Sequence, residues 1–219
     1  MIASNLKAVK RQIPEHVTLV AVSKTKPVSD LLEAYAAGQR DFGENKAQEV
    51  LDKFEYLPED VRWHFIGHLQ TNKVKQIVDK VYLVHSMDRE SLFVELEKQA
   101  SKINKTVHVL LQFNIAQEET KYGFSWDMVK IFLNSDIYKD SKFVRVVGVM
   151  GMASFTENKE QIKQEFDILF SYFEQLKSGE FLGQSNFHIV SMGMSGDFEL
   201  AIASGSTMVR VGSAIFGGR

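Results

Sequence analysis

Short runs of β-branched residues alternate along the chain with longer stretches of helical spacing. Each short run has the length and composition of a buried β-strand, and glycine or polar residues bound it. The predicted strands are residues 19–22, 40–42, 63–66, 81–84, 107–114, 144–150, 187–190 and 208–211. The pattern therefore predicts eight strands separated by helices.

The stretches between these strands place apolar residues three and four positions apart, the repeat of one helix face. The clearest stripe contains Ile162, Phe166, Leu169 and Phe173. Strands that alternate with helices indicate the α/β class and a parallel sheet. Eight strands favour a single (β/α)8 TIM barrel, and a doubly wound open sheet is the competing architecture. Because no linker-like segment divides the chain, we expect one domain over residues 1–219.

Composition narrows the class of protein. A chain of 219 residues that is 44% hydrophobic can bury a substantial core. The net charge of −2 and the lack of a basic stripe give no indication of nucleic-acid binding. With no cysteine, disulfides and thiolate metal sites are excluded. The chain begins without a signal-peptide pattern, and its longest nearly apolar run, 146–155, is too short to span a bilayer, so we expect a soluble, cytoplasmic protein.

Polar and glycine-bearing segments follow the predicted strands, whereas the reverse connections resemble ordinary surface loops. In a (β/α)8 barrel, the loops after the carboxyl ends of the strands carry the chemistry. The segments are 23–26, 43–45, 67–73, 85–86, 114–123, 150–152, 191–196 and 210–213. The fifth of them, 114–123, includes Glu118 and Lys121. The asymmetry indicates one functional face.

Lys24 stands directly after the first predicted strand. A partly desolvated lysine amine can lose its proton and attack a carbonyl to form a Schiff base. Most Ser-Lys pairs after a strand are solvated loop charges, so Lys24 needs further support.

The segment 191–196 is small, hydroxyl-rich and opens a predicted helix. Free N–H groups at a helix start bind phosphate, and Gly212 and Ser213 offer a second set. Barrels often bind phosphate between the loops after strands seven and eight. A plain N-cap serine with turn glycines is the alternative. Asp197 and Glu199 would repel a phosphate unless they point away.

Arg210 is expected to project from the last strand into the barrel mouth. Opposite a Schiff-base lysine, a phosphate site suggests pyridoxal 5′-phosphate (PLP), with a phosphosugar as the alternative. A guanidinium cannot give up its proton, so beside a pyridine nitrogen it would keep that nitrogen unprotonated and weaken the ring as an electron sink. A salt-bridged rim residue is the competing interpretation of Arg210.

The histidines do not predict a metal site. His64 and His68 are four residues apart at a strand end, and no acidic third ligand has suitable spacing. We expect His64 to pack in or beside the barrel and His68 to line the pocket. Structural or surface positions are expected for the others: His16, His85, His108 and His188.

Five motifs stand in order along almost the whole chain. They are AVSKTKP (21–27), FGEN (42–45), WHFIGHLQTNK (63–73), SMGMS (191–195) and VRVGSAIFG (209–217). Together they resemble the YggS/PROSC family, the pyridoxal phosphate homeostasis proteins. The N-terminal leader before the first strand looks shorter than is usual in that family, which leaves the first helix open.

The resemblance implies a fold-type III PLP barrel, like the N-terminal domain of alanine racemase. It implies that Lys24 forms the Schiff base and that Arg210 faces the pyridine nitrogen. It also implies a phosphate site and further pocket positions. The phosphate residues are Ser191, Gly193, Ser195, Gly212 and Ser213, and the further positions are Asn45, His68 and Met150.

The racemase-like relatives use two bases, and the second is a tyrosine from a second domain. This chain ends soon after the last strand, so we expect neither a second domain nor a catalytic residue. A second base would have to come from His68, Tyr82, His85 or water, and nothing in their spacing marks one.

The expected function is PLP storage or delivery with little or no catalysis, and the alternative is a PLP-dependent amino-acid racemase or isomerase. A phosphosugar-binding barrel is a third, weaker reading. We expect a monomer, with PLP-dependent apo-enzymes as candidate partners and no nucleic-acid or membrane partner.

Overall fold

A computed structural model describes residues 1–116 and 122–218 of the chain. Eight parallel strands close into a barrel, in which the strands pair in chain order and β8 pairs with β1. The strands are β1 Thr18–Val22, β2 Asp41–Glu44, β3 Arg62–Phe65, β4 Val81–Met87, β5 Val107–Gln112, β6 Val144–Met150, β7 Ile189–Ser191 and β8 Met208–Val211. The expected barrel is confirmed. Glu118 and Lys121 lie outside the described residues.

Helices connect the strands and cover the barrel. The longest, α8, begins at the N-cap Asn158, whose side chain accepts a hydrogen bond from the Gln161 amide at 3.2 Å. Its apolar stripe is buried, as the spacing predicts. The helices are α1 Ile2–Lys10, α2 Val28–Ala36, α3 Ala47–Phe54, α4 Val74–Ile77, α5 Glu90–Lys102, α6 Trp126–Asn134, α7 Asp136–Lys139, α8 Lys159–Ser178, α9 Phe198–Ala203 and α10 Ser213–Phe216.

The strands direct alternate side chains into the barrel and towards the helices. In β8, Val209 and Val211 pack against the outer helices, whereas Met208 joins the apolar interior and Arg210 follows it on the same face. The interior cluster also contains Val20, Leu83, Leu110, Val147 and Met150. The barrel is thus a packed core below its carboxyl-end mouth.

Several strand ends differ from the prediction, and three of these differences bear on the site. The seventh strand begins at Ile189 and includes Ser191, whereas Phe187 lies before it, with its ring stacked on Phe181 at a centroid distance of 4.0 Å. β2 extends to Glu44, and β4 extends to Met87 through His85 and Ser86. These three shifts move polar residues from predicted loops into strands.

The N-terminal helix, which the sequence left open, is present as α1. It buries Ile2, Leu6 and Val9, and Asn5 Nδ2 donates a hydrogen bond to the Ile215 carbonyl at 3.1 Å. No helix within the described residues is long and apolar enough to cross a membrane.

Candidate functional site

A cavity of about 320 Å³ opens at the carboxyl ends of the strands. Its volume is typical of a small-molecule site. A cavity of 370 Å³ lies at the amino ends of the first strands, and one of 460 Å³ adjoins this cavity through Ser195 and Gly196, but the present one contains both Lys24 and Arg210. Its lining is Val22, Lys24, Asn45, Ile66, Met152, Met194, Ser195, Gly196, Arg210, Gly212 and Ser213.

Lys24 is half-buried in the turn that follows β1. The strand is held in register by Val22, which pairs with Gly43 of β2. Within the described residues, Lys24 Nζ has no hydrogen-bond or ion-pair partner. The amine is therefore available to a ligand in the cavity.

Arg210 is only 3% exposed, and its guanidinium is held by two hydrogen bonds. Nη1 donates to Ser191 Oγ at 2.6 Å, and Nη2 donates to the Gly151 carbonyl at 3.1 Å. Burial lowers the pKa of Arg210 to about 10, so the group remains protonated at neutral pH. A guanidinium has five N–H donors, so others remain for a ligand.

A buried chain of hydrogen bonds runs from Arg210 through the barrel to its amino end. After Ser191 it continues from Ser191 Oγ to His85 Nδ1 at 3.0 Å, from His85 Nε2 to His64 Nδ1 at 2.9 Å, and from His64 Nε2 to Asp41 Oδ1 at 3.0 Å. Arginine can only donate and a carboxylate can only accept, so every hydrogen in a neutral chain points towards Asp41. In that neutral chain, the Ser191 hydroxyl donates its hydrogen bond to His85 Nδ1.

Two loops at the cavity rim are joined by a hydrogen bond from the Gly212 amide to Ser195 Oγ at 3.1 Å. Across residues 1–116 and 122–218, nothing accepts from the backbone N–H groups of Ser195, Gly196 and Ser213. These groups form an anion-binding edge of the kind expected from the sequence.

The acidic residues beside these loops do not line the cavity. Asp197 Oδ1 accepts a hydrogen bond from the Met194 amide at 2.5 Å, which folds the carboxylate back into its own loop. Asp197 and Glu199 line a neighbouring cavity, which shares Ser195 and Gly196 with the first. The hydrogen bond from the Met194 amide to Asp197 offsets part of the repulsion expected from the sequence.

Comparison with known proteins identifies the family. The profile of the alanine racemase N-terminal domain family matches residues 1–219. The pyridoxal phosphate homeostasis protein of Aquifex aeolicus is 39% identical over 206 residues, which cover 92% of this chain and 86% of the relative. The chain belongs to the pyridoxal phosphate homeostasis protein family.

Solved structures agree with this family assignment. PipY of Synechococcus elongatus PCC7942 without PLP is 32% identical, with a TM-score of 0.92 and coverage of 99% of this chain and 100% of that chain. The same protein with PLP bound has a TM-score of 0.88, at the same identity and coverage. An alanine racemase from Bartonella henselae shares the fold alone, at 16% identity and a TM-score of 0.77, covering 99% of this chain and 60% of that chain.

Six of the predicted site residues of this family member line the cavity: Lys24, Asn45, Ser195, Arg210, Gly212 and Ser213. The others lie beside or below it. Ser191 is inside the barrel under Arg210, and Met150 is fully buried in the interior cluster. Gly193 is in the loop after β7 but does not line the cavity, and its carbonyl accepts a hydrogen bond from the Arg210 amide at 2.9 Å.

His68 lines a neighbouring cavity that shares Asn45 with the first. Its Nδ1 lies 2.9 Å from Asp88 Oδ2, and its ring stacks on Tyr122 with centroids 4.2 Å apart. Both contacts hold the imidazole at the edge of the site.

Five lining residues were not singled out from the sequence: Val22, Ile66, Met152, Met194 and Gly196. The last three lie in the segments 150–152 and 191–196, which the sequence placed on the functional face. A signal existed for Val22 and Ile66, which follow the inward-facing Val20 and His64 by two residues.

Two of the candidate second bases lie away from the cavity. Tyr82 is at the amino end of the barrel, where it lines a cavity with His16 and Arg62. His85 is fully buried, with both ring nitrogens engaged in the chain to Arg210.

Proposed function

We propose that this protein binds PLP as a Schiff base on Lys24 and serves intracellular PLP homeostasis, by storage or delivery, with little or no catalysis. The observation that carries the proposal is that a fixed guanidinium and a lysine amine with no partner among the described residues open into one cavity. The family relatives share the PLP homeostasis name, and PipY has been solved with PLP bound.

The donor set of the cavity fits each part of PLP. The free N–H groups of Ser195, Gly196 and Ser213 would hold the phosphate. Arg210 would donate to the pyridine nitrogen. Lys24 Nζ would condense with the aldehyde, forming one C=N bond and releasing one water. Bound PLP supplies that aldehyde and a ring that accepts electrons.

The electrostatics of Arg210 favour holding over catalysis. Its guanidinium stays protonated at neutral pH and is locked by Ser191 and the Gly151 carbonyl. A ring nitrogen that accepts from such a donor stays unprotonated, which makes the ring a weaker electron sink.

Within residues 1–116 and 122–218, no second positioned base lines the cavity. Among its described lining residues, Lys24 and Arg210 are the ionisable ones. A missing acid–base partner removes a contribution of roughly 10²- to 10⁴-fold. Stereochemical inversion at a bound amino acid needs proton transfer on both faces, so this lining disfavours a racemase.

The test is PLP titration followed by absorbance, with Lys24→Ala as the variant and Lys26→Ala as its control. Lys26 lies in the same turn, but its Nζ donates to the carbonyls of Phe216 and Gly218 at 3.1 and 3.0 Å. We expect the Schiff-base band in the wild type and in Lys26→Ala and its loss in Lys24→Ala. A wild-type protein that shows no Schiff-base band when PLP is added would overturn the proposal.

Two further measurements separate storage, delivery and catalysis. Enzyme-like incorporation of deuterium at the α-carbon of an amino acid would replace this proposal with the racemase alternative. Transfer of PLP to an apo-enzyme faster than release into solution would favour delivery, and transfer at the release rate would favour storage. Light scattering tests the expected monomer.

A further inference from the structure

The turn that carries Lys24 has an uncommon backbone. The Lys26 amide donates to the Ser23 carbonyl at 3.0 Å, which places Lys24 and Thr25 at the two central positions of a tight turn. Thr25 has a φ of +65°, a left-handed conformation that a β-branched residue adopts only under strain. Such strain persists where surrounding contacts enforce it, often at functional sites.

A buried cluster of Glu44, Glu49 and Lys53 lies against this turn. Lys53 is 6% exposed, and its Nζ donates to the Ser23 carbonyl at 3.0 Å, to Glu44 Oε1 at 2.8 Å and to Glu49 Oε2 at 3.2 Å. These bonds use all three protons of the ammonium group. Ser23 Oγ also donates to Glu44 Oε1 at 2.6 Å.

The cluster holds the peptide groups on both sides of the Lys24 α-carbon. The Ser23 carbonyl, which precedes Lys24, accepts from Lys53 Nζ. The Thr25 amide, which follows Lys24, donates to Glu49 Oε2 at 2.6 Å. Since Glu49 and Lys53 are themselves paired and are one turn apart on α3, the two peptide groups are fixed to one rigid helix.

General stability is a poor explanation for this arrangement. Glu44 is fully buried, and this burial raises its pKa to about 7 although Lys53 Nζ and Ser23 Oγ both donate to its Oε1. Buried charge clusters often contribute less stability than apolar side chains of the same volume. A cluster that orients a reactive side chain has a different advantage, because small displacements of a reacting group can cost about 10²-fold in rate.

We propose that Glu49 and Lys53 are positioning residues that hold the strained turn and thereby aim the Lys24 amine into the cavity. This inference rests on the proposed function, since it concerns the same lysine. It assigns a role to side chains that do not line the cavity.

The first experiment compares Glu49→Gln with the wild type in two binding reactions. PLP can condense with Lys24, whereas pyridoxine 5′-phosphate has no aldehyde and reports only the non-covalent fit. Loss of the charge-assisted bond to Thr25 should slow Schiff-base formation by about tenfold. The affinity for pyridoxine 5′-phosphate should change less than about twofold, as expected for a residue outside the cavity lining.

Glu97→Gln is the matched control. Glu97 on α5 also accepts backbone N–H groups, from Lys142, Phe143 and Val144, but it lies outside the cavity lining. We expect it to lower thermal stability without slowing Schiff-base formation. The positioning role is wrong if Glu49→Gln lowers the rate of Schiff-base formation and the affinity for pyridoxine 5′-phosphate by the same factor, or if it changes neither. If the wild type forms no Schiff base, the proposed function fails instead.

The second experiment asks whether Glu49 acts through the turn. Thr25→Gly removes the steric cost of the positive φ, so Glu49→Gln should slow Schiff-base formation less in that background. Asn104→Gly controls for an added glycine, because Asn104 also has a positive φ, of +49°, in the turn after α5. If Glu49→Gln slows Schiff-base formation equally in the wild-type and Thr25→Gly backgrounds, the proposal is overturned. Provided that the variant folds, Lys53→Met tests the second contact, from Lys53 Nζ to the Ser23 carbonyl, in the same way.

Discussion

Arg210 donates a 2.6 Å hydrogen bond to Ser191 Oγ, so the guanidinium that borders the cavity is oriented from inside the barrel. Ser191 is fully buried, and its hydroxyl donates a hydrogen bond to His85, which leaves its oxygen lone pairs free to accept from Arg210. The orientation of the cavity's fixed cation therefore depends on residues that do not line the cavity.

Ser191→Ala should weaken PLP binding by about fivefold to tenfold, because it frees Arg210 Nη1 while leaving the cavity lining unchanged. A PLP titration measures the effect. Ser206→Ala is the control, since Ser206 is also a buried serine but donates to backbone carbonyls, among them that of Met192 at 2.8 Å. Equal losses in the two variants would contradict a specific role for Ser191.

His85 should make the folded protein less stable as the pH falls below about 6.5. Burial lowers the pKa of His85 well below its usual value. As the pH falls, His85 is therefore protonated in the unfolded chain but stays neutral in the folded chain, which favours unfolding. The loss has a limiting slope of about 1.4 kcal/mol per pH unit. Glu44 contributes an opposite slope in part of this range, because burial raises its pKa to about 7. The contribution of His85 is therefore measured as the difference in urea unfolding between the wild type and His85→Gln from pH 7.5 to 5.

His85→Gln should reduce that slope, because glutamine can keep one donor and one acceptor for His64 and Ser191 but does not titrate. An unchanged slope in the variant would show that another group controls the acid limb.

Much of the site was predictable because its main residues occupy simple positions. Lys24 and Arg210 stand at or near the carboxyl ends of strands, and strand alternation is a local pattern. Ser191 shows the limit. The prediction ended the seventh strand one residue too early, which placed Ser191 in the phosphate loop, whereas in β7 it points into the barrel.

The chain of side chains below Arg210 could not be predicted from spacing. His85 and Ser191 are 106 residues apart, and His64 and Asp41 are 23 apart. Their contacts follow from barrel closure, which is a long-range property. The cluster of Glu44, Glu49 and Lys53 could not be predicted either. The prediction ended β2 before Glu44, so strand alternation could not show that the Glu44 side chain points outwards to Lys53.

Glu44 should make the folded protein less stable as the pH rises from about 4.5 to 7. Burial raises the pKa of Glu44 to about 7, so in this range the folded chain keeps a proton that the unfolded chain releases. The loss should be on the order of 2 kcal/mol. Glu44→Gln resembles the protonated form and should remove this contribution, which is measured as the difference in unfolding free energy between the wild type and the variant across this pH range. A difference that stays constant from pH 4.5 to 7 would show that Glu44 is already ionised.

Gly193→Ala should destabilise the fold by about 2–4 kcal/mol, from two separate causes. Gly193 has a φ of +96°, and an added Cβ would lie 2.6 Å from Ala201 Cβ on α9. Moving α9 away would also disturb Ser195 and Gly196, whose N–H groups border the cavity. PLP affinity should therefore fall together with stability.

Gly183→Ala separates the two causes. Gly183 has a φ of +78°, but an added Cβ there would meet nothing within 4 Å, so only backbone strain of about 1 kcal/mol is expected. Urea unfolding and a PLP titration on both variants give the comparison. If Gly183→Ala lowers stability as much as Gly193→Ala, strain alone accounts for the loss. If PLP affinity survives in Gly193→Ala, the loop does not depend on the close packing of Gly193 against α9.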